Sequence, residues 1–453
     1  MKVILEELHS RGHNLTVIRA SNSWYIPEQS PLYTSISVEM AKSLEDFFDV
    51  YLDEQLRVSK SFHVQWEQRG SSSFWTFLKL TTHWMSMFSK LQEKWAEGFI
   101  KIVEDQKVLQ SILDSKYELM LTDPAMASGL YLAKFLKLPV VLNVRWITSG
   151  EGHFALAPSP LSYIPVPGSG LTDKMNFIQR VKNFLFSSIG LFQQKVFMEP
   201  CYFAIREKYF EGRLDSISLL QEADIWLFRS DFVFEFPRPT MPNVVYIGGF
   251  QCKPAQPLPV IWRHKGATPS TLGNNTLIVD WMPQKDLLGH PQIKLFVAHG
   301  GTNGIQEAIY HGVPVLGIPL FFDQYDNLLR LQDRGAAKIL ALSDLNADTF
   351  EQGIQEVLHT DSYRMNIQRM SRLHRDQPLA PMDQAVFWVE YVMRHKGAPH
   401  LRTEAYRMPW YSYYSLDVLL LMLTVLTALI VSTVGVFRFL CCRRRKNSKA
   451  KQN

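Results

Sequence analysis

The spacing of apolar and polar positions in the first half of the chain predicts strands that alternate with helices. Apolar runs at 117–123 and 139–144 flank a helical pattern that ends near residue 136. A strand, a helix and a strand within about thirty residues form a βαβ unit, which implies a parallel sheet. Further strands are predicted at 223–228 and 244–248, and helical patterns at 39–118 and 173–210, with a Pro-, Gly- and Ser-rich loop at 157–170.

The first residues predict an amphipathic helix rather than a secretion signal. An apolar stripe over residues 3–8 ends near Gly12, and a strand is predicted at 14–19. Two glutamates interrupt the apolar run, so it does not form the core of a signal peptide. We therefore expect the chain to start inside a domain.

The alternation of strands and helices restarts after a linker at 253–259, which holds three prolines. The second set comprises strands at 295–298, 313–319 and 337–340 and helices at 303–311, 326–334 and 347–359. Two Rossmann-like doubly wound α/β domains in series are the predicted architecture, with bounds 1–252 and 260–400.

Residues 418–437 contain no charged side chain and are long enough to cross a bilayer as a helix. Trp410 and three nearby tyrosines precede this segment, as expected of an aromatic belt at a membrane interface. A basic tail, 438–453, follows it and by the positive-inside rule lies in the cytosol. The segment 401–417 is then juxtamembrane, and the body of the chain lies on the opposite, lumenal side.

The charge distribution argues against nucleic-acid binding. The whole chain carries a formal charge of +5, but the tail from Arg438 onward alone carries seven basic residues and no acidic one, which leaves the body at −2. A body without excess positive charge has no electrostatic footprint for nucleic acid. Of the four cysteines, Cys201 and Cys252 could pair, although no spacing pattern requires it.

The richest chemistry lies at 298–304, between a predicted strand and a predicted helix. Gly300 and its neighbouring glycine let an anion approach the backbone, and the helix N-terminus supplies free N–H groups. His299 adds a donor beside them. The three histidines His290, His299 and His311 do not have the spacing of a metal site.

Side chains on either side of this turn suit the other parts of a nucleotide sugar. Glu307 offers two acceptors for a ribose diol, and Asp323 with Gln324 follows a strand at the edge where such sheets bind ligands. Trp281 and Gln284 are three residues apart, so an indole could stack on a base while the amide reads its edge.

The stretch from Trp281 to Gln324 resembles the donor-binding signature of the animal UDP-glycosyltransferases, the UDP-glucuronosyltransferase superfamily. The resemblance also covers 121–124, 248–250, 260–263 and the C-terminal apolar segment, and so spans the chain. It implies the GT-B fold, with the acceptor in the N-terminal domain and the UDP-sugar in the C-terminal domain.

The resemblance also implies roles for individual residues. Trp281 and Gln284 are expected to bind uracil, and Glu307 the ribose. The diphosphate is expected to bind to His299, Gly300, Thr302 and Asn303. Asp323 and Gln324 are assigned to the sugar, and Arg263 is placed near the nucleotide. Family members invert the anomeric centre by direct attack of an acceptor hydroxyl, which a His deprotonates while an Asp orients the His. Asp123 matches that Asp; read without the family, it is a helix cap before Pro124. No metal or other cofactor is implied, and the chain has no Asp-x-Asp motif.

Two departures from the family pattern put activity in doubt. The strand and loop that carry the family's catalytic His have no counterpart, and His9 and His13 fall at the wrong edge of the sheet. A second gap falls between Pro259 and Val260, where family members place a strand, a phosphate-contacting turn and a helix. Two hypotheses follow: a transferase that moves glucuronic acid or glucose to a small lipophilic acceptor, or a non-catalytic relative that binds and modulates full-length enzymes.

The expected location is the endoplasmic reticulum membrane, crossed once, because the tail resembles a dilysine retrieval signal. Expected partners are the UDP-sugar, the acceptor, the membrane and related enzymes in a homo- or hetero-oligomer. The sequence leaves open the donor sugar, the acceptor and glycosylation at Asn14 or Asn274.

Overall fold

A computed structural model of the chain describes residues 2–23, 26–39, 74–145, 155, 157–212, 214–254, 260–263, 276–279, 283–320 and 323–449. Two compact units are present, Met1–Arg402 and Thr403–Asn453. Residues 255–259 of the linker, Trp281 and part of the sequon at Asn274 lie outside the described residues.

The first half of the larger unit follows the predicted order of elements. Its helices are α1 Lys2–Ser10, α2 Phe74–Glu104, α3 Gln106–Asp114, α4 Ser128–Leu136, α5 Phe177–Gln193, α6 Phe203–Phe210 and α7 Ser216–Gln221. Its strands are β1 Thr16–Ala20, β2 Thr34–Val38, β3 Met120–Thr122, β4 Val140–Val144, β5 Ile225–Phe228 and β6 Val244–Tyr246. The βαβ unit predicted around residue 130 is thus β3–α4–β4.

Four of these strands form one parallel sheet in the order β3-β4-β5-β6, and β1 pairs with β2 in a separate parallel sheet. Successive side chains of a strand point to opposite faces. Accordingly, Leu142 and Trp226 lie in one buried cluster with α2, α4 and α7, while Val141 and Ile225 lie in another. The sheet is therefore covered on both faces, as a doubly wound fold requires.

The second face of this sheet is covered partly by a helix from the far end of the unit. Helix α13, Pro381–His395, buries Ala385, Val386 and Val389 in the same cluster as Ile4 and Leu8 of α1. Five α-helices of the described residues lie between α7 and α13 in the chain. They are α8 Gln284–Leu288, α9 Thr302–His311, α10 Gln324–Asp333, α11 Ala347–His359 and α12 Asp361–Arg375. The chain thus returns from the second half to complete the core of the first.

The second half contains two parallel sheets. The order β9-β10-β11 joins Phe296–Ala298, Val315–Gly317 and Ala337–Ile339, whereas β7, Val260–Arg263, pairs with β8, Thr276–Val279. Helices α9, α10 and α12 bury apolar side chains on the three-stranded sheet, Ile305, Ile309, Leu328 and Ile367 among them. Among the described residues, no ladder joins β7 to β9.

This division falls at the place of the predicted internal gap. A doubly wound sheet has the order 3-2-1-4-5-6, in which the first strand lies at the centre. The separate sheets β8-β7 and β9-β10-β11 correspond to strands 3-2 and 4-5-6 of that order, and no strand among the described residues has the place of strand 1. Val297 of β9 consequently remains 44% exposed, although a central strand of such a sheet is normally buried on both faces.

Buried polar contacts join the two halves of the larger unit. The imidazole of His374 on α12 hydrogen-bonds the carboxylate of Asp231, which follows β5. Arg330 of α10 forms an ion pair with Glu235 at 3.0 Å. Phe234, from the same loop as Asp231, is buried in the core of the second half. Side chains of the first half therefore form part of the second half's core.

The pairing left open for two cysteines does not occur: Cys201 and Cys252 are both free thiols. Burial is the main cause that raises the pKa of Cys201 to about 11 and that of Cys252 to about 12.

The second unit consists of α14, Trp410–Tyr413, and α15, Leu416–Lys449. Within α15, Leu416–Arg438 has a mean hydropathy of 2.5, and none of it is buried against the rest of the structure. By length and composition this segment is able to cross a membrane. It contains the predicted span at 418–437.

Candidate functional site

The loop after β9 brings a histidine and two glycines to the start of α9. Gly300 has φ +92°, and a Cβ on it would lie 2.6 Å from the Gln324 carbonyl oxygen and 2.7 Å from Leu328. The backbone therefore turns here in contact with α10, which a side chain would prevent. Gly301 is the N-cap of α9 and has no capping side chain, so first-turn N–H groups remain free to bind an anion.

The ring of His299 lies over this helix N-terminus. A Cβ on Gly301 would come within 2.6 Å of its Nε2 atom. Desolvation lowers the pKa of His299, and the nearby Asp323 carboxylate acts in the opposite direction. His299 is therefore neutral at pH 7 and places a ring nitrogen beside the free N–H groups of α9.

Asp323 fixes the start of α9 to the start of α10. Its Oδ2 atom accepts hydrogen bonds from the Thr302 hydroxyl at 2.8 Å and from Asn327 Nδ2 at 2.6 Å. The same Asn327 amide donates to the Gly300 carbonyl oxygen at 3.0 Å. These bonds hold the glycine turn in one conformation. Asn327 is a site residue that the sequence analysis did not identify.

Gln284 and Glu307 contact each other on neighbouring helices. Gln284 Nε2 donates to Glu307 Oε2 at 2.7 Å. Desolvation is the main cause that raises the pKa of Glu307, while the hydrogen bond from Gln284 lowers it. The residues predicted for the base and for the ribose therefore lie side by side, with one carboxylate oxygen of Glu307 not engaged by Gln284.

Asp123 lies just past β3 at the carboxyl edge of the N-terminal sheet. Its Oδ1 atom accepts the Ala125 N–H at 3.0 Å, and Arg145 Nε donates to its Oδ2 at 2.9 Å. The alternative reading as a helix cap is wrong, because α4 begins five residues later, at Ser128, without a side-chain cap. Asp123 instead closes a short turn and holds an arginine.

The carboxyl edges of the two halves meet at this arginine. Thr302 Oγ1 lies 3.4 Å from the Arg145 carbonyl oxygen. Ligands of open α/β sheets bind outside the carboxyl ends of the strands. The sequence analysis did not single out Arg145, although its position directly after a predicted strand was a usable signal.

The remaining predicted site residues are Asn303, Gln324, Arg263 and Trp281. Asn303 is exposed in the first turn of α9, beside Thr302. Gln324 is 4% exposed and its Oε1 accepts the Leu320 N–H at 2.8 Å, so it braces the loop before α10. The backbone of Arg263 lies in β7, but its side chain, like the whole of Trp281, is outside the described residues.

The sequence model of the family described as "UDP-glucoronosyl and UDP-glucosyl transferase" matches the chain in two pieces, residues 1–260 and 257–452. Together the pieces cover nearly the whole chain. They meet at 257–260, where the sequence analysis places the internal gap and where the sheet of the second half is divided.

Named proteins match over the same extent. The chain is 35% identical to human UDP-glucuronosyltransferase 2A3, over 99% of this chain and 92% of that protein, and 36% identical to rabbit (Oryctolagus cuniculus) UDP-glucuronosyltransferase 2C1, over 95% and 93%. The match to the human protein spans 501 aligned positions against the 453 residues of this chain, so that protein carries at least 48 residues without a counterpart here.

Solved structures show the fold. The glycosyltransferase VinC, solved in complex with DTDP, matches with a TM-score of 0.51 and 14% identity over 86% of this chain and 95% of that one. The glycotransferase of kitacinnamycin matches with a TM-score of 0.50 over 86% and 94%. The predicted fold class, two Rossmann-like domains of the GT-B type, is confirmed.

Proposed function

The chain belongs to the UDP-glucuronosyl and UDP-glucosyl transferase family, and on that basis we propose that it transfers a sugar from a UDP-sugar to a small lipophilic acceptor. The observation that carries the proposal is the loop after β9, where His299, Thr302 and Asp323 surround a bare helix N-terminus at the meeting of two sheet edges. A diphosphate suits this loop because N–H groups and a neutral imidazole donor there favour an anion.

The UDP-sugar has a complementary place for each of its parts. The diphosphate binds to Gly300, His299, Thr302 and Asn303, and the free oxygen of Glu307 accepts a ribose hydroxyl. Gln284, held by Glu307 at 2.7 Å, faces the base, with Trp281 stacking on it. Asp323 and Gln324 are assigned to the sugar and Arg263 to the nucleotide, by family likeness. The donor domain is then 260–400 and the acceptor domain 1–252.

The reaction is an inverting displacement at the anomeric carbon. An acceptor oxygen forms a bond to that carbon, the bond from carbon to the β-phosphate oxygen breaks, and the acceptor proton is released to water. UDP departs with its charge stabilised by the start of α9, without a metal. Asp123 matches the family's orienting acid, and its partner in this chain is Arg145. Glucuronic acid or glucose is the proposed sugar.

Helix α15 anchors the enzyme in a membrane, since Leu416–Arg438 has the length and hydropathy of a span. The endoplasmic reticulum is the proposed compartment, with the body lumenal and the basic tail cytosolic. Assembly with itself or with related enzymes remains a further part of the proposal. The non-catalytic alternative gains no support from the comparisons, whose named relatives are transferases.

The test is sugar transfer in membranes that contain the full chain. UDP-glucuronic acid or UDP-glucose is supplied with a simple phenol, and the glycoside is detected by mass. A second chain, with the segment of a relative inserted between Pro259 and Val260, is assayed beside it. Glycoside from the unaltered chain supports the proposal.

The negative control is Asp323→Ala, which removes the carboxylate that holds Thr302. It should reduce product in both chains at equal protein level. Product from the inserted chain alone would mean that this chain is not itself a transferase, and product unaffected by Asp323→Ala would remove the assigned site.

A further inference from the structure

Charged side chains of both signs lie at the carboxyl edge of the N-terminal sheet. Arg145 follows β4 and Arg229 follows β5, while Asp123 follows β3. Arg229 Nε donates to Asn143 Oδ1 at 2.8 Å and its guanidinium lies 5.2 Å from the centre of the Phe250 ring. Arg229 is 6% exposed, so its charge is held inside the protein.

The two guanidinium groups at this edge repel each other. Burial lowers the pKa of Arg229 to about 10, with the charge of Arg145 as the next cause. Arg229 therefore remains charged at pH 7, and both arginines carry a positive charge. Asp231, the next acid along the same edge, is hydrogen-bonded to His374.

The charge of Arg145 is exposed at this edge. Its side chain is 54% exposed, and Asp123 engages its Nε atom at 2.9 Å. Among the described residues, no hydrogen-bond partner of its two terminal amino groups is seen. Its carbonyl oxygen lies 3.4 Å from Thr302, at the start of the helix assigned to the diphosphate.

From this geometry we infer that Arg145 binds an anionic oxygen group of the nucleotide sugar and that Asp123 positions it. A guanidinium is planar, so its two terminal groups present parallel N–H bonds to two oxygens of one phosphate or carboxylate, and the contact of Asp123 at Nε fixes the direction in which they point. The group is a donor phosphate or the carboxylate of a uronic acid. This inference rests on the proposed function and gives Asp123 a role through Arg145.

Binding to the full chain in detergent tests the inference. UDP, UDP-glucose and UDP-glucuronic acid are titrated by calorimetry into the unaltered chain and into Arg145→Gln. We expect Arg145→Gln to weaken binding by about 10- to 100-fold, as loss of a hydrogen-bonded charge pair does. The control is Arg394→Gln, because Arg394 is 51% exposed and paired with Glu390 at 3.5 Å, far from the cleft in sequence.

The three ligands distinguish the sources of the anion. If Arg145→Gln binds all three ligands more weakly, Arg145 contacts a phosphate. If it binds only UDP-glucuronic acid more weakly, Arg145 contacts the sugar carboxylate. Asp123→Asn should give a smaller loss in the same ligands, because it frees the guanidinium without removing it.

Equal binding by Arg145→Gln and Arg394→Gln overturns the inference and leaves the proposed function standing. If the unaltered chain binds none of the ligands, the proposed function falls and the inference falls with it. Should Arg145→Gln fail to fold, Arg145→Lys is measured instead, since it keeps the charge but has no planar fork, and the same criteria apply.

Discussion

Replacing Gly300 with alanine tests whether the turn before α9 depends on close backbone packing. Gly300 has φ +92°, and an added Cβ would lie 2.6 Å from a backbone oxygen and 2.7 Å from the buried Leu328. Neither neighbour is a flexible chain end, so the turn or α10 must move. Gly12 provides a matched control, because it has φ +89° and nothing lies within 4 Å of its added Cβ.

The two substitutions separate backbone strain from steric overlap. A left-handed backbone conformation costs a residue with a Cβ about 1–2 kcal/mol, which is the whole cost expected for Gly12→Ala. Overpacking of a close-packed site adds about 1–3 kcal/mol for Gly300→Ala. The expected total there is about 2–5 kcal/mol.

The assay is thermal unfolding of the full chain in detergent, followed by tryptophan fluorescence. We expect Gly300→Ala to unfold about 2–6 °C below Gly12→Ala. UDP binding should also weaken in Gly300→Ala only, since the displaced turn carries the N–H groups of α9. Equal melting temperatures for the two variants would refute the steric argument, because both variants have the same backbone strain and only Gly300→Ala has the steric overlap.

Four further results are expected. Because burial raises the pKa of Glu307, its carboxylate is protonated at higher pH than an ordinary glutamate, which weakens UDP binding, and Glu307→Gln should remove this part of the pH dependence in titrations from pH 7 to 5. Glu307→Gln should also be at least as stable at pH 7, an advantage that shrinks as pH falls, because a raised carboxyl pKa means that the folded state favours the protonated form. Asp224 is 2% exposed and accepts two backbone N–H groups and one guanidinium, so Asp224→Ala should destabilise the chain by about 3–5 kcal/mol in the same thermal assay, and an unchanged melting temperature would contradict this. Burial raises the pKa of Cys201 to about 11 and of Cys252 to about 12, so neither should react with iodoacetamide at pH 8 until denaturant is added, as peptide mass mapping would show.

The sequence predicts elements where local pattern is strong. The glycine turn before α9 is recognisable because a buried strand, two glycines and a helical pattern follow in order, and helix α11 agrees with its predicted bounds. Strand β2, Thr34–Val38, was not predicted, although its polar and apolar residues alternate as in a half-buried strand.

Contacts between distant parts of the chain are not visible in the pattern. Arg145 and Asp123 are 22 residues apart and meet only because β3 and β4 are neighbours in the sheet. His374 and Asp231 are 143 residues apart and meet only after both halves fold. The contact between the Gln324 side chain and the Leu320 N–H cannot be predicted from the residue type of Gln324 alone.

The divided sheet of the second half also changes what a bound nucleotide would do to the protein. In an undivided sheet, backbone hydrogen bonds would join β7 and β8 to the strands that carry the diphosphate turn. Here the base side is linked to the diphosphate side through side chains, such as Gln284 on Glu307 at 2.7 Å. A UDP-sugar that contacts both sides would act as a cross-link between them. Its binding would therefore hold the two sides together. At equal affinity, it would raise the unfolding temperature of this chain more than that of a relative with a continuous sheet.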